Sequence, residues 1–239
     1  MKGSMTDLQI RAIQAMGLGP IWVRRHADAA LVQTPPQHPT EAIEDRAEAI
    51  AAMSWDRLSE TVGACRACRL CETRTQTVFG VGASRPDWII VGEAPGADED
   101  ARGEPFVGQA GRLLDAMLAS VGLSRERNVF IANVLKCRPP NNRDPAPDEI
   151  AQCLPFLHRQ IELLAPRMIL VVGKIASVAL LGREATIASL RGKEHRVLIA
   201  GREIPVVVTY HPAYLLRSPQ EKAKAWADLC LARRVYESS

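Results

Sequence analysis

Three polar residues of different chemistry stand at the ends of apolar runs in this sequence. Glu93 follows WIIVG, Asn133 closes VFIAN, and His211 follows VVVTY. A carboxylate can orient a water molecule or stabilise positive charge, and an amide offers both a hydrogen-bond donor and an acceptor. An imidazole can donate a hydrogen bond to a developing anion. These residue types therefore mark a candidate site for binding and catalysis.

Five of the six cysteines fall into two groups. Cys65, Cys68 and Cys71 have C-x2-C-x2-C spacing, and Cys137 and Cys153 form a second pair with fifteen residues between them. Thiolates three residues apart can reach one metal centre, so the first group alone fits zinc, a redox dithiol or an iron-sulfur cluster. Ligation by thiolates without a nearby histidine pair favours iron-sulfur over catalytic zinc. The spacing alone is also compatible with a structural zinc ion held by four cysteines.

Alternating strand and helix patterns position these residues. Four β-rich runs span residues 88–91, 129–134, 168–173 and 205–211, and helical patterns span residues 111–121, 147–165, 174–181 and 219–236. Regular alternation of this kind predicts repeated βα units, a parallel sheet and an α/β fold. Right-handed crossovers then place Glu93, Asn133 and His211 on one rim of the sheet, where α/β proteins bind ligands.

Composition bounds the organisation of the chain. Its 239 residues, 47% of them apolar, suit one domain plus a tail. We predict a flexible tail and proline-rich linker over residues 1–40 and a domain over residues 41–239, which opens with a helix from Glu41 to Val62. No apolar run approaches the length of a membrane helix, and the first residues lack the apolar core of a signal peptide. A cytoplasmic protein without membrane contact is expected. Because the net charge is only +3, any binding of nucleic acid must come from local clusters of basic residues.

Each candidate residue also has a purely structural interpretation. Asn133 could cap a strand end, His211 could satisfy a loop carbonyl, and Phe106 could be a core aromatic. A dinucleotide site of the Rossmann type fits poorly, because GEAPGADED lacks G-x-G-x-x-G and its acids would repel a pyrophosphate. The sequence contains no P-loop, GxSxG or HExxH motif either.

Four blocks between Cys65 and Arg217 resemble the motifs of the family 4 uracil-DNA glycosylases, the iron-sulfur branch of that superfamily. They are the cysteine pattern, GEAPGADED with GEPFVG, the strand end at Asn133, and HPAYLLR. The resemblance implies a three-layer α/β/α fold with a central, mostly parallel sheet of four strands. It also implies a 4Fe-4S cluster, whose ligands would be Cys65, Cys68, Cys137 and Cys153. Cys71 stands at a position that the family does not require.

The resemblance further implies a role for each rim residue. A uracil flipped out of DNA would stack on Phe106 and bond to Asn133 and His211, whose donor would stabilise the charge left on the base. Glu93 would orient the attacking water, stabilise the cationic sugar, or order the loop. The expected catalytic residues are thus Glu93 and His211, and the expected substrate-binding residues are Gly92, Ala94, Glu99, Phe106 and Asn133. Glu99 would lie beside uracil C5, where thymine carries its methyl group.

Contacts to DNA are expected around the same rim. The resemblance places a wedge for the vacated base position at Leu215 or Leu216. The expected contacts are Leu215, Leu216, Arg217, Arg191 and Lys193. Arg138 and Arg143 also lie in loops around the rim and could bind phosphates, although surface cations are usually just solvated. The expected partner is uracil-containing DNA, single- or double-stranded, and the expected state is a monomer. An iron-sulfur nucleotide-binding or electron-transfer protein of the same fold is the alternative, although it would have no use for Asn133 and His211 converging on one pocket.

The first thirty residues carry a separate pattern. An apolar helix ending at Met16, followed by Gly17, Trp22 and the basic pair Arg24 and Arg25, resembles the N-terminal peptide of the psi subunit of bacterial clamp loaders. One extra residue separates the glycine from the tryptophan. We predict that residues 1–30 dock on a clamp loader or another replisome component.

Overall fold

The computed structural model describes residues 40–238, together with Ala15. The predicted tail, linker and docking segment lie outside the described residues, apart from Ala15 and Thr40, and stay predictions. No helix in the described part of the chain is long and apolar enough to cross a membrane.

A six-stranded sheet forms the centre of the described region. Its strands are β1 (Val81–Gly82), β2 (Trp88–Gly92), β3 (Val129–Asn133), β4 (Met168–Val172), β5 (Glu194–Ile199) and β6 (Arg202–Thr209). Their order is β1-β3-β2-β4-β6-β5, and β3, β2, β4 and β6 run parallel to one another. These four strands are the four predicted β-rich runs, so the predicted α/β fold class is confirmed. β1 and β5 extend the predicted sheet as antiparallel edge strands.

Helices cover both faces of the sheet. They are α1 (Thr40–Ala51), α2 (Trp55–Gly63), α3 (Ala97–Arg102), α4 (Gln109–Ser120), α5 (Pro147–Leu164), α6 (Lys174–Leu181), α7 (Ile187–Leu190), α8 (Pro212–Arg217) and α9 (Lys222–Ser238). Successive strand residues point to opposite faces. Trp88 and Ile90 therefore share one core cluster with α4 and α9, while Ile89 and Val91 share another with α5 and α6. The result is a three-layer α/β/α arrangement.

The predicted helix from Glu41 to Val62 is wrong in one respect, because it consists of two helices. The break comes at Ser54, whose hydroxyl accepts a hydrogen bond from the Arg57 amide at 3.4 Å and so caps α2. A serine that bonds the backbone locally favours a new helix start over continuation of the old helix. The break allows α1 and α2 to pack together with α5 in a third cluster, which also contains Cys137 and Cys153.

The register of the parallel strands aligns their carboxyl ends. Gly92 lies opposite Asn133, and Val172 lies opposite Thr209. Glu93, Asn133 and the segment after β6 therefore emerge at the same edge of the sheet. This edge holds the candidate site.

Candidate active site

The loop after β2 is held in shape by the carboxylate of Glu99. Glu99 Oε2 accepts a hydrogen bond from the Gly96 amide at 3.0 Å. Its Oε1 accepts bonds from the amides of Val107 at 3.0 Å and Gly108 at 3.4 Å. Glu99 thus fastens the GEAPG turn to the PFVG segment, a role that the sequence patterns did not indicate.

Phe106 is a buried aromatic in a strained backbone conformation. Its φ is 55°, in the left-handed region that non-glycine residues rarely occupy. Arg125 Nη2 donates to the Phe106 carbonyl at 3.1 Å, and Gly111 lies so close that a Cβ there would overlap this carbonyl oxygen. The ring stacks on the imidazole of His211. Several contacts therefore hold the aromatic side chain in this orientation, as is common where strain serves a site.

Asn133 carries an unpaired acceptor at the end of β3. The residue is 2% exposed, and its buried Oδ1 has no hydrogen-bond partner among the described residues. Gly92 makes room for it, since a Cβ at that position would overlap Asn133 Oδ1 and approach the Phe106 ring to 2.8 Å. A buried acceptor without a donor is costly. A ligand that brings an N–H group into the cleft would remove that cost.

His211 is fixed as a neutral donor by its position before α8. Its Nδ1 accepts a hydrogen bond from the Ala213 amide at 3.1 Å, so the imidazole caps the helix. Burial lowers the pKa of His211 to about 4, and the positive charge of Arg217 adds to this effect. A neutral imidazole that accepts through Nδ1 carries its proton on Nε2. The Nε2–H group is therefore the available donor.

Glu93 is half-buried at the start of the loop. Burial raises the pKa of Glu93 to about 7, and the negative charge of Asp144 adds to the rise. A carboxylate with a pKa near neutrality can accept a proton or a hydrogen bond from water under physiological conditions.

One open cleft of about 460 Å³ brings these residues together. Of the expected site residues, the cleft is lined by Glu93, Ala94, Glu99, Phe106, Asn133, His211 and Arg217. Gly92 lies behind the wall of the cleft, and the absence of a side chain there leaves room for Phe106 and Asn133. Arg143 and Tyr214 also line the cleft, and the sequence patterns did not assign them to the base pocket. Arg143 is held by Glu149, with Nη2 and Oε1 2.6 Å apart.

Comparison with known proteins identifies the family. The model of the uracil DNA glycosylase superfamily matches residues 79–230. The chain belongs to this superfamily. A type-4 uracil-DNA glycosylase of Archaeoglobus fulgidus is 45% identical over 179 residues, which cover 73% of this chain and 89% of that protein. Type-4 enzymes of Pyrobaculum aerophilum (43% identity, covering 75% of this chain and 93% of that protein) and Thermotoga maritima (45%, covering 67% and 82%) are also similar.

A second cavity of this superfamily member is lined by thiols. Its walls include Cys65, Cys68, Cys71, Cys137 and Cys153. Burial raises the pKa of Cys153 to about 12 and that of Cys68 to about 11, so both thiols hold their protons unless a metal centre compensates the charge. Within the described part of the chain, no three His, Cys, Asp or Glu side chains have the geometry of a metal-ion site.

Hydrogen-bond donors surround this thiol cavity. Arg74 Nη1 donates to Cys137 Sγ at 2.9 Å, and the Lys136 amide donates to Cys153 Sγ at 3.2 Å. Arg46 Nη2 lies 3.6 Å from Cys65 Sγ. Donors of this kind stabilise thiolates over thiols.

Two expected DNA contacts need correction. Leu215 is 1% exposed and packs in the core, so it cannot enter DNA, whereas its neighbour Leu216 is 40% exposed. Arg191 binds the buried carboxylate of Asp228, with Nη2 and Oδ1 2.9 Å apart, and therefore stabilises the fold instead of remaining free for phosphates. Lys193 is exposed in the turn before β5.

Proposed function

We propose that this protein is a type-4 uracil-DNA glycosylase, which hydrolyses the bond between uracil and deoxyribose and leaves an abasic site. Membership of the uracil DNA glycosylase superfamily and the similarity to type-4 enzymes support this activity. The observation that carries the residue roles is the unpaired Oδ1 of Asn133, buried beside Phe106 and His211 in one cleft.

Recognition of the base follows from the amide of Asn133. Its Oδ1 accepts from uracil N3–H, and its side-chain NH₂ donates to O4. Cytosine presents the opposite pattern, with an acceptor at N3 and a donor at C4, so the same amide orientation rejects it. Phe106 forms the aromatic wall against which the flipped base packs.

Bond cleavage uses His211 and Glu93. As the bond between N1 and C1′ breaks, its electron pair moves into the uracil ring, and His211 Nε2–H donates to the charge that develops at O2. Water adds to C1′, and the proton it loses reaches the uracil anion through solvent, so the products are neutral uracil and the abasic sugar. Ionised Glu93 accepts a hydrogen bond from this water and thereby directs its oxygen toward C1′.

Exclusion of thymine is assigned to Glu99. Its carboxylate lines the cleft while its oxygens hold three backbone amides, so the side chain has little freedom to move aside. A methyl group on C5 would have to displace it.

The thiol cavity suits a 4Fe-4S cluster held by Cys65, Cys68, Cys137 and Cys153. The donor set is all sulfur, and the amide and guanidinium donors described above suit bound thiolates. As ligands of such a cluster, Cys65, Cys68, Cys137 and Cys153 would link three distant chain segments beside the cleft. Cys71 lines the same cavity and is not required by the family pattern.

Other expectations stay predictions. These are a cytoplasmic location, a monomeric state, and recruitment to a clamp loader by residues 1–30. Deletion of those residues is expected to leave activity on oligonucleotides intact and to abolish co-purification with clamp-loader subunits. A deletion that instead destroys catalysis would place the segment within the catalytic domain.

The deciding experiment compares oligonucleotides that contain one uracil or one thymine, as single strands and as duplexes. Purified protein is incubated with each, and alkali then reveals abasic sites. Cleavage is expected at uracil alone, and its rate should fall sharply but stay measurable in Asn133→Ala, with the iron content unchanged. Absence of cleavage by iron-loaded wild-type protein would refute the proposal.

A further inference from the structure

Lys136 is a buried amine between the cleft and the thiol cavity. It is 1% exposed, and burial lowers its pKa to about 8. Its Nζ donates to the Asn133 carbonyl oxygen at 2.9 Å and to Gln160 Oε1 at 2.6 Å. A lysine at this depth is costly unless its donors are bonded. The mechanism proposed above makes no use of it.

The bond to Asn133 completes the restraint of one peptide group. The carbonyl oxygen of Asn133 is held by Lys136, and the amide of Val134, in the same peptide plane, donates to the Gly92 carbonyl at 2.9 Å. The next amide, that of Leu135, donates to the Glu93 carbonyl at 3.0 Å. The side-chain oxygen of Asn133 has no partner of its own among the described residues, so the fixed peptide restrains the backbone from which that side chain extends.

Hydrogen bonds also fix Gln160, the second acceptor of Nζ, and the backbone of Lys136. Gln160 Nε2 donates to the Phe79 carbonyl at 2.9 Å, which fixes the acceptor that holds Nζ. The backbone of Lys136 donates to Cys153 Sγ at 3.2 Å and accepts from the Val78 amide at 2.8 Å. One residue thus joins the thiol cavity to the end of β3.

We propose that Lys136 is a positioning residue for base recognition, which fixes Asn133 by bridging its carbonyl oxygen to Gln160. The inference rests on the role proposed for Asn133 in reading uracil. It predicts that loss of the bridge weakens recognition of the base without emptying the thiol cavity.

A double-mutant cycle tests this role. Lys136→Met keeps the length and apolar stem of the side chain but removes its donors. We expect kcat/KM on a uracil oligonucleotide to fall about tenfold or more, the loss typical of one hydrogen bond from a charged donor. Inhibition by free uracil should weaken by a similar factor, with the iron content unchanged. In the Asn133→Ala background, Lys136→Met should cause no further loss, because the two residues act as one unit. Additive losses would mean a merely structural role and would overturn the inference.

A pair of substitutions at Gln160 decides the matter if Lys136→Met does not fold. Both Gln160→Met and Gln160→Glu lose the donor to Phe79, but only Gln160→Glu keeps an acceptor for Lys136. Gln160→Met should therefore weaken free-uracil inhibition, while Gln160→Glu should stay close to wild type. Equal behaviour of the two variants would contradict the bridge. Full activity of Asn133→Ala would instead refute the proposed reading of uracil. A strongly impaired Asn133→Ala beside a fully active Lys136→Met would overturn the present inference alone.

Discussion

The rings of Phe106 and His211 are stacked, with their centroids 5.5 Å apart and their planes inclined by 29°. Phe106 is fixed through its carbonyl by Arg125, and His211 is fixed through Nδ1 by the Ala213 amide. The proposed aromatic wall for the base and the proposed donor for its developing charge are therefore one packed unit. A change in either ring is expected to disturb the position of the other.

His211→Ala tests the donor in this unit. Removal of one donor to a developing anion costs roughly 3 kcal/mol of transition-state stabilisation, or about a 100-fold lower rate. Single-turnover kinetics on a uracil oligonucleotide measure the loss. His158→Gln, on α5 and outside the cleft, is the matched control and should be close to wild type. Full activity of His211→Ala would remove the role assigned to it.

Glu93 should give the reaction a pH dependence near neutrality. Its pKa of about 7 in the folded protein lies above its ordinary value, so the folded state holds the proton more tightly than the unfolded chain does. The stability from this proton is fully present below the ordinary pKa, near 4.5, and is lost as pH rises through 7. The excision rate should rise over the last part of this range, because the ionised carboxylate is the form proposed to orient water.

Glu93→Gln should reduce both pH effects. Its residual rate and its melting temperature should depend less on pH than those of wild type between about pH 5.5 and 7.5, the range over which a group with this raised pKa changes charge. His211, with a pKa of about 4, does not titrate in that range. A pH–rate profile of Glu93→Gln that coincides in shape with that of wild type would assign the titration to another group.

Substitution of single cysteines should separate ligands from bystanders. Wild type is expected to contain about four irons per chain and to be brown. Cys153→Ser should lose iron and become unstable, because it opens a cross-link between distant segments. Cys71→Ser and the control Cys230→Ser should keep their iron. Metal analysis that finds one zinc and no iron in wild type would contradict the cluster.

Two substitutions at Glu99 test whether the size of its side chain or its negative charge excludes thymine. Glu99→Ala should admit some thymine from mismatches and lower the melting temperature, because three backbone amides lose their acceptor. Glu99→Gln keeps the bulk and one acceptor oxygen, so it should still reject thymine. Glycosylase assays on T:G and U:G duplexes provide the measurement. Unchanged rejection of thymine by an active Glu99→Ala would point to another barrier.

Leu216 should matter only for double-stranded DNA. A wedge fills the space that a flipped base leaves in the stack, and a single strand has no such defined space. Leu216→Ala is therefore expected to lower the rate on duplexes several-fold, by about the loss of one apolar contact, and to spare single strands. Leu198, 71% exposed on β5, supplies the control. Equal losses on both substrates would refute the wedge.

The strand ends were accessible to sequence reasoning for a physical reason. Buried parallel strands are continuous apolar runs, and the polar residue that ends each run marks the rim. The pattern of residues alone therefore sufficed to place Glu93, Asn133 and His211 together. The edge strands carried weaker signals, because β1 has two residues and β5 (EHRVLI) has three polar residues followed by three apolar ones, with one face exposed.

Tertiary context decided what the sequence left ambiguous. Leu215 and Leu216 are adjacent and chemically identical, and only their place on α8 separates core from surface. In the sequence, Arg191 has the pattern of a loop cation, but in the folded protein it pairs with Asp228 on α9. The sequence around Lys136 does not indicate that this lysine is buried, because its hydrogen-bond acceptors come from the end of β3 and from α5.

The strand order also has a consequence for how the protein folds. Glu93 and Asn133 belong to the first half of the sheet, whereas His211 follows β6, which enters between β4 and β5. Parallel strands pair segments that are far apart in the chain, and such pairings form late. No partly folded intermediate without β6 can hold the complete cleft. After denaturation, catalytic activity should therefore return later than the initial collapse of the chain. Its return would show that the complete sheet, including β6, has formed.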